Sequence, residues 1–310
     1  MADILIIIAP IFLVLLLGYA LGKTTLFPEG ASNVLITFVW YIAIPVLMFR
    51  EIASRDLPQT HELLLVVSYY SPVILLYLCA VLIARFAFKL TAAEQGIFAL
   101  SACFANGGFI GIPLMDGAFG KEGVRLLLVI LSFQSILLLT TTTVLIESTD
   151  KAASVFGILK KTFNSILHNP LLVALMSSLI WAGLGIPFPH WLDRVLALPA
   201  QSASPVGLFA AGMALSSVTL AGDLRHAAVS VFWKTLAIPA TVFFITHTVA
   251  QLQPLWVAVA TLTAALPTGM VAYSFSAQYG GVGSRRAAST VLISTAISFF
   301  TLSFLLYALT

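Results

Sequence analysis

Charge is scarce in this chain. Of its 310 residues only 9% are Asp, Glu, Lys or Arg, whereas 60% are hydrophobic and the mean hydropathy is +1.05. A soluble domain carries roughly 25% charge. This chain therefore lacks the polar surface that a water-soluble globule needs. The formal charge is only +3, and basic residues never run beyond the pairs Lys160-Lys161 and Arg285-Arg286. That balance gives no footing to nucleic acid as a partner. Cysteine is nearly absent. Cys79 and Cys103 both lie in apolar runs and read as small core residues, not as a disulfide or a metal site. Catalytic patterns are missing as well. There is no H-E-x-x-H, no G-x-S-x-G, no Walker A and no paired Asp of the kind that binds magnesium and a diphosphate. This argues against an enzyme, implies no cofactor and speaks against self-contained ATP drive. No Asp-Asp pair falls within a span, so a two-aspartate sodium/proton exchanger is not supported.

What is present is long apolar segments. A spanning helix needs about 20 mostly apolar residues. Ten such segments run over roughly 3–22, 31–49, 62–86, 95–118, 122–147, 167–186, 195–218, 226–250, 253–277 and 286–309. They predict an all-α integral membrane protein with the lipid bilayer as its solvent. The run from Ile4 to Leu17 lacks the basic n-region of a signal peptide and continues to Lys23, so it reads as a first retained helix. The longest polar stretch, 148–165, contains Asp150, Lys151, Lys160 and Lys161 and divides the chain almost in half. With the N-terminus outside, inner links hold nine Lys and Arg and outer links five. Positive loops stay cytoplasmic, which favours a multi-pass protein of the cell's inner (plasma) membrane with both termini outside.

One offset recurs along the chain. Pro10 and Pro170 are 160 apart, and so are Pro45 and Pro205, Gly120 and Gly280, and Arg125 and Arg285. Four pairs at one spacing divide the chain into a first five-helix repeat (1–147), a cytoplasmic link (148–165) and a second repeat (166–310). Five is odd, so the second repeat enters the membrane the opposite way round. Secondary transporters use such inverted repeats, with the site near the midplane where broken helices meet. The fourth segment carries Asn106, Gly107, Gly108, Gly111 and Pro113, and the ninth carries Pro267, Thr268 and Gly269. Glycine costs about 1 kcal/mol in a helix interior and proline about 3. Broken backbone at this depth survives only if it lines a cavity or is buried in protein. Its freed N–H groups and positive half-helix ends suit an anion, and Asn106 and Thr268 can add hydrogen bonds. The bland alternative is that the glycines only allow close helix packing.

Other polar residues are weaker candidates. Lys234 lies two turns into the eighth segment; a lysine at mid-membrane is costly and can be functional, or its stem can snorkel to the inner face. His247 is a candidate proton carrier near an outer helix end. Gln134, flanked by Ser132 and Ser135, either lines a cavity or bridges helices. Asp116 follows the first interruption.

The two interrupted segments also resemble those of the auxin efflux carrier family, which includes the plant PIN carriers and bacterial malonate or malate carriers. Asn106 with Gly111-Ile112-Pro113-Leu114 is similar to that family's fourth-helix crossover. Ala264 to Val271, followed by Phe275 and Gln278-Tyr279, is similar to its ninth-helix crossover. The plant motif has proline before the asparagine, where Ala105 stands here. The resemblance implies ten helices as two inverted five-helix repeats with crossed broken helices 4 and 9. Helices 1, 2, 6 and 7 would be a scaffold, and helices 3–5 and 8–10 a moving unit. It implies an elevator-type secondary transporter of a small organic anion, auxin-like or a dicarboxylate such as malonate or malate, working as a homodimer. A sodium- or proton-coupled carrier of the bile-acid-symporter type has a similar fold and remains an alternative. An intramembrane enzyme is a remote one.

Overall fold

The computed structural model describes residues 2–54, 60–147, 170–218 and 224–310. Arg55 and the polar link 148–165 lie outside the described residues. The regular elements are α1 (Ala2–Gly22), α2 (Ala31–Ala53), α3 (Thr60–Phe86), α4 (Ala92–Cys103), α5 (Ile112–Glu147) and α6 (Pro170–Gly183). They continue as α7 (His190–Ser216), α8 (Leu224–Val249), α9 (Pro254–Ala265), α10 (Val271–Gln278) and α11 (Ser284–Leu309). Among the described residues the only β pairing is an isolated bridge between Ala105 and Thr268.

Seven helices are long and apolar enough to cross a membrane: α1, α2, α3, α5, α7, α8 and α11. They expose large apolar side chains, among them Ile6 (71%), Leu13 (63%), Phe300 (71%) and Phe304 (69%). Water would penalise such faces; hydrocarbon does not. The difference from ten spans has local causes. The fourth and ninth segments are each cut in two, so α4 and α9 have 12 residues apiece, and the sixth is described only over the 14 residues of α6. That is about 18 Å of helix against a hydrocarbon core of about 30 Å. Gly120, at φ 61° and ψ −155°, bends α5 between the fourth and fifth segments. Prolines shape two further spans. Five-residue π turns stand just before Pro45 (Val39–Ala43) and Pro239 (Trp233–Ala237). Proline lacks an N–H and its ring crowds the preceding turn, which widens.

Contacts group the chain into two units. The first gathers the described residues of Met1–Leu63, Gly107–Ser132 and Ile166–Ser217. Here α1 packs on α7 at unusually short range. A Cβ on Gly18 would stand 2.2 Å from the Phe209 carbonyl oxygen, and one on Gly212 2.0 Å from that of Leu15. Backbone cannot step aside, so only glycine lets these helices meet. Gly212→Ala is expected to destabilise the protein by about 1–3 kcal/mol, read as a lower thermal midpoint in detergent; an unchanged midpoint would contradict this packing. Ion pairs tie the unit further. Arg50 grips Asp193 through Nε (2.6 Å) and Nη2 (3.3 Å), and Arg125 joins Glu122 and Glu62.

The second unit gathers the described residues of Leu64–Asn106, Phe133–Ser165 and Val218–Thr310. Its two half-helices are punctuated alike. At the ends of α3 and α8, the Phe88 and Ala250 N–H groups reach back to Ile83 (3.3 Å) and Ile245 (2.8 Å). Those of Leu90 and Leu252 reach Ala84 (3.0 Å) and Thr246 (2.9 Å). Lys89 (φ 52°) and Gln251 (φ 49°) are the only non-glycine residues at positive φ among the described residues. A 12-residue half-helix and then a chain break follow each. Corresponding residues here are 162 apart, so Asn106 matches Thr268 and Ala105 matches Pro267.

Candidate functional site

The site in the second unit is made where α4 and α9 stop. A capping box starts α4: the Glu94 N–H donates to the Thr91 hydroxyl (3.4 Å) and the Thr91 N–H to the Glu94 carboxylate (2.9 Å). Partial burial pushes the Glu94 carboxyl up. The Thr91 N–H, the Arg286 guanidinium and the Thr91 hydroxyl together outweigh that and hold it below its usual value. The helix ends where Phe104 turns to extended backbone (φ −76°, ψ 115°). On the other side α9 ends at Leu266 (φ −54°, ψ 146°), because the residue before a proline is driven out of the helical region.

The two extended segments pair. The Asn106 N–H donates to the Pro267 carbonyl (2.8 Å) and the Gly269 N–H to that of Phe104 (3.0 Å). A Cβ on Gly269 would lie 3.3 Å from the Ala105 carbonyl oxygen, so a glycine suits this close approach. Each helix end still leaves carbonyls without partners, and in an apolar interior an orphan costs about 1–3 kcal/mol. Side chains supply the donors. The Thr268 hydroxyl donates to the Ser101 carbonyl (2.7 Å), the Gln134 amide to that of Ala105 (2.8 Å) and the Lys234 ammonium to that of Ala264 (2.7 Å). The Thr268 N–H donates to the Ser294 hydroxyl (3.1 Å). Lys234 is 0% exposed; its stem does not snorkel. Its Nζ stands at the C-terminal end of α9.

Two polar groups remain open at these breaks. Asn106 is 7% exposed, and among the described residues its carboxamide makes no hydrogen bond. Gln134, fixed through its amide nitrogen, keeps its Oε1 buried without a partner.

The structure thus places Asn106, Pro267, Thr268, Gly269, Gln134 and Lys234 around one pair of chain breaks. Gly107, Gly108, Gly111, Pro113 and Asp116 belong to the first unit. There Gly107 to Gly111 form a π turn. A Cβ on Gly107 would come within 2.2 Å of Leu131, and one on Gly108 within 2.9 Å of Ile44, so packing accounts for these two glycines. His247 stacks on Phe243 (ring centroids 5.1 Å apart) in the last turn of α8, about 20 Å along that helix from Lys234. Ser294 and Ser101 were not singled out from sequence. A signal for Ser294 existed: Thr290, Ser294 and Ser298 recur every four residues on one helix face, and all are buried. Among the described residues no three His, Cys, Asp or Glu side chains gather, and none is assigned to a metal.

Unwound, paired backbone capped by side chains inside a multi-span apolar chain is an arrangement that suits a membrane transport protein. The sequence profile of the family described as membrane transport protein matches residues 3–306. The chain belongs to that family, the auxin efflux carrier family that its two interrupted segments resemble. It is 26% identical to the protein named "Putative malonate transporter" of Rhizobium meliloti (strain 1021), across 99% of this chain and 96% of the relative. It is 27% identical to the uncharacterized transporter YfdV of Escherichia coli (strain K12) across 67% of each chain. It is 23% identical to the uncharacterized transporter MJ1031 of Methanocaldococcus jannaschii across 93% of each chain.

Proposed function

We propose that this multi-pass transporter is a secondary carrier of a small organic anion, a dicarboxylate such as malonate or malate, whose carboxylate binds at the paired chain breaks. One observation carries this reading. Beside breaks whose helix-end carbonyls are already capped, Asn106 holds a carboxamide with two N–H donors and no partner among the described residues. Thr268 stands at the matching position of the other break. Lys234 caps the Ala264 carbonyl at the end of α9. Pro267 and Gly269 shape the backbone of the break, and Gln134 presents its open Oε1 to a hydroxyl or a protonated carboxyl. Lys234, His247 and Asp116 are the groups to test for ion coupling.

The architecture that goes with this function is ten helices in two inverted repeats, 1–147 and 166–310. The matched endings of α3 and α8, the equal half-helices α4 and α9, and the positive φ of both Gly120 (61°) and Gly280 (72°) support it. The first, second, sixth and seventh spans serve as scaffold and homodimer surface, and the remaining spans move as an elevator. The protein sits in the inner (plasma) membrane with both termini outside and needs no cofactor. A thermal-shift screen of carboxylates on the purified protein tests the substrate class. Ligand at 100 times its Kd stabilises the native state by about 2.7 kcal/mol, so malonate or malate is expected to raise the midpoint by several degrees. A response to neutral or cationic solutes alone, with none to any carboxylate, would overturn the reading.

A further inference from the structure

A small cleft, partly open to solvent, lies in the second unit between the first turns of α4 and α11. Glu94, Ile97 and Ser101 line it from α4, Arg286 and Thr290 from α11, and Ser230 from α8. Inside it, Arg286 Nη1 donates to Glu94 Oε1 at 2.8 Å. The pair is half-buried, with side-chain exposures of 29% for Arg286 and 21% for Glu94. Arg286 is therefore already holding a carboxylate, and that carboxylate belongs to the protein.

The surroundings favour an anion. Both α4 and α11 begin at the cleft, and no side chain caps the start of α11 after Gly283. Two helix N-termini thus add positive potential to that of Arg286. The far side of the cleft adjoins the chain breaks. Ser101 is among the residues lining the cleft, and its carbonyl accepts the Thr268 hydroxyl (2.7 Å). Thr290 stands one turn, about 6 Å, before Ser294, whose hydroxyl takes the Thr268 N–H.

We propose that this cleft is an access subsite for the carried anion, in which Arg286 binds the incoming carboxylate and Glu94 is the resident carboxylate that it displaces before reaching the chain breaks. The inference rests on the carrier reading above. It assigns Arg286 a role in selecting carboxylates that a structural ion pair would not have. Guanidinium and carboxylate match as a planar fork, so exchange of one carboxylate for another leaves Arg286 satisfied throughout.

The test uses the full chain in phosphatidylcholine vesicles, which carry no anionic headgroup, with malonate as probe and affinity read from the dependence of the thermal midpoint on its concentration. Glu94→Gln retains a capping side chain at that position but removes the competing charge. It is expected to bind malonate about three- to tenfold more tightly than the unaltered protein. Arg286→Gln is expected to bind at least about tenfold more weakly, and Arg286→Lys, with charge but no fork, to fall between. Glu94→Gln with unchanged or weakened binding would make the pair a structural tie and overturn the proposal. If Arg286→Gln does not fold, Glu94→Gln still decides, because a structural tie predicts no tightening. Failure of the unaltered protein to bind any carboxylate would overturn the carrier reading, and the subsite with it; normal binding with the wrong response to Glu94→Gln would overturn the subsite alone.

Discussion

Asn106→Ala is expected to weaken carboxylate binding by about 10- to 100-fold and to cut uptake at low substrate concentration in proportion, with no loss of folded protein. The size follows from the bond removed. A hydrogen bond to a charged group is worth about 1.5–3 kcal/mol, and each 1.4 kcal/mol is a factor of ten. The absence of a stability effect follows from the geometry. Asn106 holds the chain break through its backbone N–H, which donates to Pro267 at 2.8 Å, and alanine keeps that bond. Its carboxamide has no partner among the described residues, so truncation orphans nothing. A change far from packing or polar networks stays within about 0.5 kcal/mol. Thermal midpoint and uptake in liposomes, measured on the same preparation, separate the two effects. A variant that unfolds, or one that transports normally, would each contradict the assignment.

Lys234→Met is expected to fail on both counts. Methionine fills much of the same volume, so the change removes a donor more than it removes packing. The Ala264 carbonyl then loses its 2.7 Å partner in a site where Lys234 is wholly buried. An orphaned buried acceptor costs about 1–3 kcal/mol. A lower midpoint and a fall of roughly 5- to 30-fold in malonate affinity should appear together, since one or two kcal/mol corresponds to that factor. Removing a buried polar group relieves some desolvation, so the midpoint moves less than the affinity. Unchanged affinity in a folded Lys234→Met protein would reduce the lysine to a structural cap.

Much of this was legible in the sequence, for reasons that can be named. The spans announce themselves by length and apolarity. The end of α9 is written in Pro267, because proline dictates the conformation of Leu266. The end of α4 is not written in the same way. Nothing about Phe104 requires extended backbone, and the glycines after it point to a break across Asn106 to Pro113. The chain instead breaks at Phe104 to Asn106 and resumes as a π turn through Gly107 to Gly111. Glycine costs only about 1 kcal/mol in a helix, and close contacts with Leu131 and Ile44 outweigh that in the first unit. The sequence pairs recur at an offset of 160, but around the breaks the matching register is 162. That moves the counterpart of Asn106 from Leu266 to Thr268.

Partners of the breaks were the least readable part. Ser101, Ala105 and Ala264 act through backbone carbonyls, which leave no mark on residue type. Lys234 could be placed on a span but not on a face. The π turn before Pro239 carries it, and only coordinates show its ammonium at Ala264. Pairs such as Arg50 with Asp193, 143 residues apart, likewise have no local signature.

The most direct measurement is counterflow in proteoliposomes: uptake of labelled malonate into vesicles preloaded with unlabelled malonate, against vesicles left empty. A carrier with one site at the chain breaks predicts uptake that saturates, that preloading accelerates, and that Asn106→Ala suppresses. Uptake that rises linearly with concentration and ignores preloading, or that Asn106→Ala leaves intact, would contradict it.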